Sequence, residues 1–222
     1  MITSQAYHPE SQKAYKLLVQ NITSLSGGTI FNLGGHSIQV EKKDGIGGLI
    51  EEWFGFWAQK QNLNIFNPNS SQEFPDYFAG KLNDGYLEIK TFNHDASPAF
   101  DVANFDGYCR SLSENPFRLF ADYLIFSYEL DKSVLKIQKI WLKKIWEICS
   151  GTGLYPLKTQ IKQGVIVNIR PGSFHSDRNQ FPLFTNPRDF TNALYETEYQ
   201  YNNKTNFKND FEKKLQEHKI LI

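Results

Sequence analysis

The sequence predicts an α/β (α+β) fold in which a mixed central sheet is flanked by helices. Residues 121–128 form a near-continuous apolar run, as expected of a strand buried in the middle of a sheet. Residues 134–140 alternate apolar and polar behind an Asp131-Lys132-Ser133 turn and read as the neighbouring strand. Helical periodicity interrupts such strands repeatedly, so a mixed arrangement is expected rather than an all-β one. At 222 residues the chain is long enough for one domain with a sizeable core, much of it filled by 18 Phe, 11 Tyr and 4 Trp.

In chain order, residues 9–25 read as a helix with Ala14, Leu17, Leu18 and Ile22 on one face. Residues 29–33 and 36–40 flank Gly34-Gly35 and predict a hairpin. Residues 46–58 predict a second helix with Ile46, Leu49, Ile50, Trp53 and Trp57 along its apolar stripe, widened by Phe54 and Phe56. On that stripe Glu52 lies nearer the buried boundary than Glu51, so Glu52 is the preferred inward-facing carboxylate. A turn-rich loop over residues 67–71 leads to Phe74-Pro75-Asp76, where Pro75 holds Phe74 extended. Residues 77–78 and 86–90 predict a hairpin through Asn83-Asp84-Gly85. Ser97-Pro98 supplies an N-cap and first position for a helix over 98–112. After the two sheet strands, residues 142–149 predict a short helix and 165–170 a strong strand, with the polar stretch 158–163 between them. Residues 190–195 predict a helix. The polar tail from Asn202 predicts a surface helix that docks Phe207, Phe211 and Leu215 on the domain or on a second subunit.

The chemistry concentrates in the 76–90 hairpin. Glu88 and Lys90 are two residues apart on one strand and share a face, while Leu87 and Ile89 point into the core. A hairpin brings Asp76 beside Glu88, collecting two carboxylates and one ammonium at one point. Two carboxylates with a few waters suit Mg²⁺, a hard cation that prefers oxygen ligands. Such a metal polarises a phosphate and acidifies water. Lys90 can orient or deprotonate that water, or stabilise charge in the transition state. Asn93 and His94, just past this strand, and Asn104 beyond them can position DNA or the metal's outer shell.

Net charge is zero, so no global basic signature marks a nucleic-acid binder. The charge is segregated, however. Residues 71–130 carry ten acidic and four basic residues (net −6), and residues 131–172 carry two acidic and eight basic (net +6). A basic half beside an acidic motif fits a phosphate-binding cleft around a metal. Lys158, Gln160, Lys162 and Arg170 are the candidate DNA contacts there, with His175, Arg178 and Arg188 as further options. The two cysteines, Cys109 and Cys149, form no CxxC, which argues for reduced thiols and no zinc site. No signal-peptide or membrane-length apolar run is evident, so a cytoplasmic protein is expected.

Pro75-Asp76, eleven residues, then Glu88-Ile89-Lys90 resembles the PD-(D/E)XK nuclease superfamily, and the element order is the one that core requires. A helix with a Glu ahead of the motif, here Glu52, is a frequent feature of that superfamily. Longer stretches resemble type II restriction endonucleases of the NgoBV/NlaIV family. They include residues 48–53, 71–76, 87–93, 100–105, 121–126, 141–148 and 164–171. The resemblance implies a restriction-endonuclease-like core over about residues 27–171 of a single nuclease domain, with residues 172–222 accessory, DNA-binding or dimerising. It implies a Mg²⁺-dependent homodimer that cuts both strands of double-stranded DNA in a bacterial cytoplasm, with a separate cognate methyltransferase protecting the host. Asp76 and Glu88, with the Ile89 backbone carbonyl, are the implied metal ligands, and Asp76, Glu88, Lys90 and Glu52 the implied catalytic set. Enzymes of this kind are associated with a GGNNCC target. Two other readings share these residues: a PD-(D/E)XK nuclease of repair or mobile elements, and a non-catalytic DNA-binding protein of the same fold.

Overall fold

The computed structural model describes residues 6–43, 45–68, 74–177, 180–203 and 206–222. Part of the expected 67–71 loop, residues 71–73 of one resemblance stretch, and Arg178 lie outside them. Five α-helices and eleven strands occur among the described residues. They divide into two compact units, His8–Ser97 with Asp122–Leu142, and Pro98–Ala121 with Lys143–Ile222 and the residues up to Tyr7.

The first unit begins with α1 (Pro9–Gln20), which has proline in its first turn and the His8 ring accepting from the Glu10 N–H at 3.2 Å. The expected helix therefore stops at Gln20, and a short 3₁₀ turn covers Ile22–Ser24. Next come β1 (Ser26–Gly28) and the hairpin β2 (Ile30–Leu33) and β3 (His36–Gln39), with Gly34 and Gly35 at positive φ as a tight turn demands. Helix α2 (Ile46–Lys60) follows, then β4 (Ile65–Phe66), β5 (Tyr77–Ala79) and β6 (Gly85–Asn93). The unit closes with β8 (Asp122–Asp131) and β9 (Val134–Lys144), joined by a turn with Lys132 at φ 54°. The sheet runs β1-β9-β8-β6-β5-β4. β6 and β8 are parallel, whereas β4–β5, β5–β6 and β1–β9 are antiparallel, so the sheet is mixed as expected. β9 continues to Lys144 and replaces most of the expected 142–149 helix; only a 3₁₀ turn at Ile145–Glu147 remains.

Helix α2 differs from the expectation in its rotation. Its buried residues are Ile46, Ile50, Phe54 and Ala58, while Leu49, Trp53 and Phe56 are exposed. Four residues spaced by four define a stripe centred between Ile50 and Phe54. Glu51 then lies about 80° from that centre and Glu52 about 180° from it. The stripe that includes Leu49, Trp53 and Trp57 is centred about 60° away from this one and shares Ile46 and Ile50 with it. The true stripe packs on the sheet, with Phe54 edge-on to Tyr77 at 5.3 Å and to Phe126 at 6.4 Å between ring centroids.

In the second unit, the expected 98–112 helix starts later. α3 (Phe105–Glu114) is capped by Asn104, whose side-chain oxygen accepts from the Gly107 N–H at 2.8 Å. Ser97-Pro98 is outcompeted because Ala103–Asn104 is taken up as strand β7, paired with β11 (Val165–Ile169). The polar stretch before β11 is itself a strand, β10 (Thr159–Lys162), so the small sheet reads β10-β11-β7. α4 (Pro187–Asn202) starts behind the Asn186 cap, and α5 (Asn206–Glu217) buries Phe207, Phe211 and Leu215. Phe207 and Phe211 meet Tyr195 of α4. The tail thus docks on its own unit. No described helix is long and apolar enough to cross a membrane.

Because Phe54 is fully buried between strand and helix, Phe54→Ala should lower unfolding free energy by about 3–5 kcal/mol, measured by urea denaturation. A loss below about 1 kcal/mol would show that α2 is not packed as described.

Candidate active site

The site is built on β6. Its residues alternate: Leu87 and Ile89 are buried on the side that α2 covers, and Glu88 and Lys90 point the other way. The turn before it is longer than expected. Ala79 pairs with Gly85, and the positive φ falls at Gly80 and Asn83 rather than at Gly85. Gly85 starts the strand, where a Cβ would stand 2.7 Å from the His8 ring. The β5–β6 ladder ends at Tyr77–Leu87. Just beyond that end, Asp76 turns its carboxylate onto β6 and accepts from the Ile89 N–H at 2.7 Å. A residue's N–H and C=O project to the same side of a strand, so the Ile89 carbonyl also faces Asp76.

Asp76, Glu88 and Lys90 are therefore brought together. Lys90 Nζ lies 3.0 Å from Glu88 Oε2, and the Asp76 N–H lies 3.4 Å from Glu88 Oε1. Glu88 is only 6% exposed. Burial, then the adjacent Glu88 charge, pushes the Asp76 carboxyl up to about 7, with Lys90 and the Ile89 N–H opposing. Burial alone would lower the Lys90 pKa, but the Glu88 and Asp76 charges outweigh it and hold the ammonium above its ordinary value. Lys90 is a cation here.

The helix contributes Glu51, where Glu52 was expected. Glu51 is half-buried and its carboxyl is raised, by burial first and by Glu88 and Glu52, with Lys90 opposing. Glu52 is exposed on the far side of α2. The Tyr77 hydroxyl fixes this arrangement by donating to the Glu51 carbonyl at 2.7 Å. Gly55 makes room for it, since a Cβ there would stand 2.6 Å from that hydroxyl. Neither Tyr77 nor Gly55 stood out as a site residue in the sequence, because their role depends on the packing of α2 against β5.

Among the described residues no three His, Cys, Asp or Glu side chains converge as a ready-made metal cage. The donor set at β6 is two carboxylates and a peptide carbonyl, all oxygen. Mg²⁺ binds through one or two carboxylates and keeps several waters, so the set fits it. The geometry supports that fit: Asp76 and the nearly buried Glu88 stand beside one ammonium, and a further cation would relieve their repulsion.

The candidate DNA contacts divide between the units. Asn93 and His94 lie half-buried at the end of β6, with His94 Nδ1 3.0 Å from Ser127 Oγ. Asn104 is committed to structure, capping α3 and donating to the Val167 carbonyl at 3.0 Å. Arg170 is ion-paired with Asp101. Gln160 accepts from Asn168 Nδ2 at 3.1 Å, Lys162 is exposed on β10, and Lys158 has its pKa lowered by burial and by Arg170. Arg188 donates to the Ile222 carbonyl.

The NgoBV restriction endonuclease family matches residues 8–220. The type II restriction enzyme NlaIV of Neisseria lactamica is 36% identical over 207 residues, covering 90% of this chain and 85% of the relative. The type II restriction enzyme NgoBV of Neisseria gonorrhoeae is 35% identical over 135 residues, 58% of this chain and 75% of the relative. A solved structure of NlaIV restriction endonuclease superposes with a TM-score of 0.85 at 34% identity, covering 94% of this chain and 89% of that one. Since the family match runs from α1 through α5, both units carry the assignment as well as the β6 motif: the chain belongs to the NgoBV restriction endonuclease family of type II restriction enzymes.

Proposed function

We propose that this enzyme cuts both strands of GGNNCC sites as a Mg²⁺-dependent homodimer, using the cluster on β6. It is a site-specific deoxyribonuclease by family, acting on double-stranded DNA. That membership decides against the repair, mobile-element and non-catalytic readings. The observation that carries the mechanism is the nearly buried Glu88 with Lys90 Nζ at 3.0 Å, and Asp76 held beside them on the Ile89 N–H.

In this reading Asp76, Glu88 and the Ile89 carbonyl hold Mg²⁺. The ion supplies Lewis acidity toward the scissile phosphate and the attacking water. Lys90 stabilises the negative charge that develops on the phosphoryl oxygens. Its raised pKa supports this role over that of general base. Glu51 orients the water from the helix side, a role that moves to it from Glu52. Sequence choice comes from elsewhere. On β10, Lys158 and Lys162 are suited to guanine or phosphate and Gln160 to a base edge, and Asn93 and His94 follow the DNA past β6. Asn104 and Arg170 are assigned to structure. A separate methyltransferase guards host sites, and the enzyme works in the bacterial cytoplasm.

Plasmid digestion with Mg²⁺, followed by sequencing of the cut ends, should give ends within GGNNCC; ends at unrelated sequences would refute that target. Lys90→Ala should keep duplex binding in gel-shift assays and lose on the order of 10²–10³-fold in cleavage rate. Cleavage at the parental rate would remove Lys90 from the mechanism. Glu51→Gln should slow cleavage by about 10–100-fold, whereas Glu52→Gln should stay within about twofold. The reverse order would restore Glu52 to the site.

A further inference from the structure

The β2–β3 hairpin carries no charge, and its register gathers Phe31, Leu33 and Ile38 on one face, with Ile30 on the other. Residues 29–40 contain no Asp, Glu, Lys or Arg. Ile30, Phe31, Leu33 and Ile38 are 62%, 51%, 71% and 59% exposed. The two strands form a sheet of their own. Such an isolated hairpin is marginal in water at best. Its root is anchored through Thr29, which donates from its N–H to the Ser133 carbonyl at 2.8 Å and from its hydroxyl to the Val40 carbonyl at 2.6 Å.

Beside that root lies a groove of about 410 Å³ between the hairpin and α2, lined on the helix side by Leu49, Ile50 and Trp53 and on the β9 side by Leu135 and Ile137. Among the described residues, no charged one lines it. Leu49, Trp53 and Phe56 recur at helical spacing and extend the apolar face along α2. With Val134, these side chains and those of the hairpin expose on the order of 800 Å² of apolar surface, above the ~300–600 Å² typical of a monomer and close to the ~800 Å² that each partner gives to a standard interface.

We propose that this face is where two copies of the chain meet, each copy's hairpin lying in the groove of the other. One chain presents both the arm and the groove, which is the self-complementarity a two-fold interface requires. Each chain also holds one Asp76–Glu88–Lys90 cluster, while a duplex has two strands to cut. DNA itself is a poor occupant, because phosphates need cations and the nearest in sequence, Lys42 and Lys43, lie beyond the hairpin. The inference rests on the homodimer reading above and names its surface.

Sedimentation of the full-length protein tests it, with Leu33→Asp/Ile38→Asp on the arm and Leu49→Asp/Phe56→Asp on the helix face. All four positions are exposed, so circular dichroism should stay parental, and two independent variants guard against one misfolding. The parent should sediment at twice 25.7 kDa. Each variant should sediment as a monomer, with a dimer dissociation constant at least ~100-fold higher and nicked plasmid accumulating in digests. A dimeric parent with dimeric variants would overturn the surface alone. A parent that is monomeric while cutting both strands would instead overturn the homodimer reading, and the proposal with it. Dimeric variants that lose duplex binding would make the hairpin a DNA element and also overturn it.

Discussion

Two carboxylates held close together, Glu88 almost wholly buried and Asp76 partly so, are the constraint on which the candidate site depends. Glu88 is placed by strand alternation and Asp76 by a single backbone hydrogen bond from Ile89. Neither carboxylate can be fully charged beside the other without a cation. Lys90 supplies one positive charge, which leaves Asp76 with its pKa raised to about 7. The surrounding fold keeps these groups from relaxing apart. Parallel pairing with β8 fixes β6 over seven residues, from Leu87–Asp122 to Asn93–Tyr128. The buried stripe of α2 closes the opposite face of the sheet.

The clamp between α2 and β5 links packing to chemistry. The Tyr77 hydroxyl reaches the Glu51 carbonyl only because Gly55 has no side chain. That contact presents Glu51, one residue from the fully buried Ile50, to the cluster's charges. A buried aromatic core beneath the helix therefore sets which of two adjacent glutamates lies near the cluster's charges. The second unit makes no comparable demand. Its small sheet and helices hold Lys158, Gln160 and Lys162 on or just before one short strand.

Much of this was legible in the sequence, and the failures have physical causes. Period-two alternation located β6 and β9, a continuous apolar run located β8, and the Asp76, Glu88, Lys90 spacing located the cluster, because strand geometry translates spacing into a face directly. The rotation of α2 was not legible, since Trp53 and Trp57 look like central core residues and only packing shows that Phe54, expected at the stripe's edge, and Ala58 lie in its middle line instead. The start of α3 was misplaced because Asn104 competes with Ser97 for the cap, and the competition is decided by pairing with β11, sixty residues away in sequence. The hairpin at residues 30–39 was legible as a hairpin, but its lack of a covering partner was not, because burial is a property of the assembled fold.

We propose that a cation completes the Asp76–Glu88 carboxylate pair on β6. The most direct test is calorimetric titration of the enzyme with Mg²⁺ near pH 6.5, in buffers of different ionisation enthalpy. A carboxyl with its pKa raised to about 7 is mostly protonated at that pH. Cation binding should then release close to one proton per chain, at most ~1. The apparent affinity should fall as pH drops below 7, because the proton and the cation compete for the same oxygens. Asp76→Asn should bind more weakly and release almost none. Binding of Mg²⁺ by the parent with no proton release, or equal release from Asp76→Asn, would contradict the account.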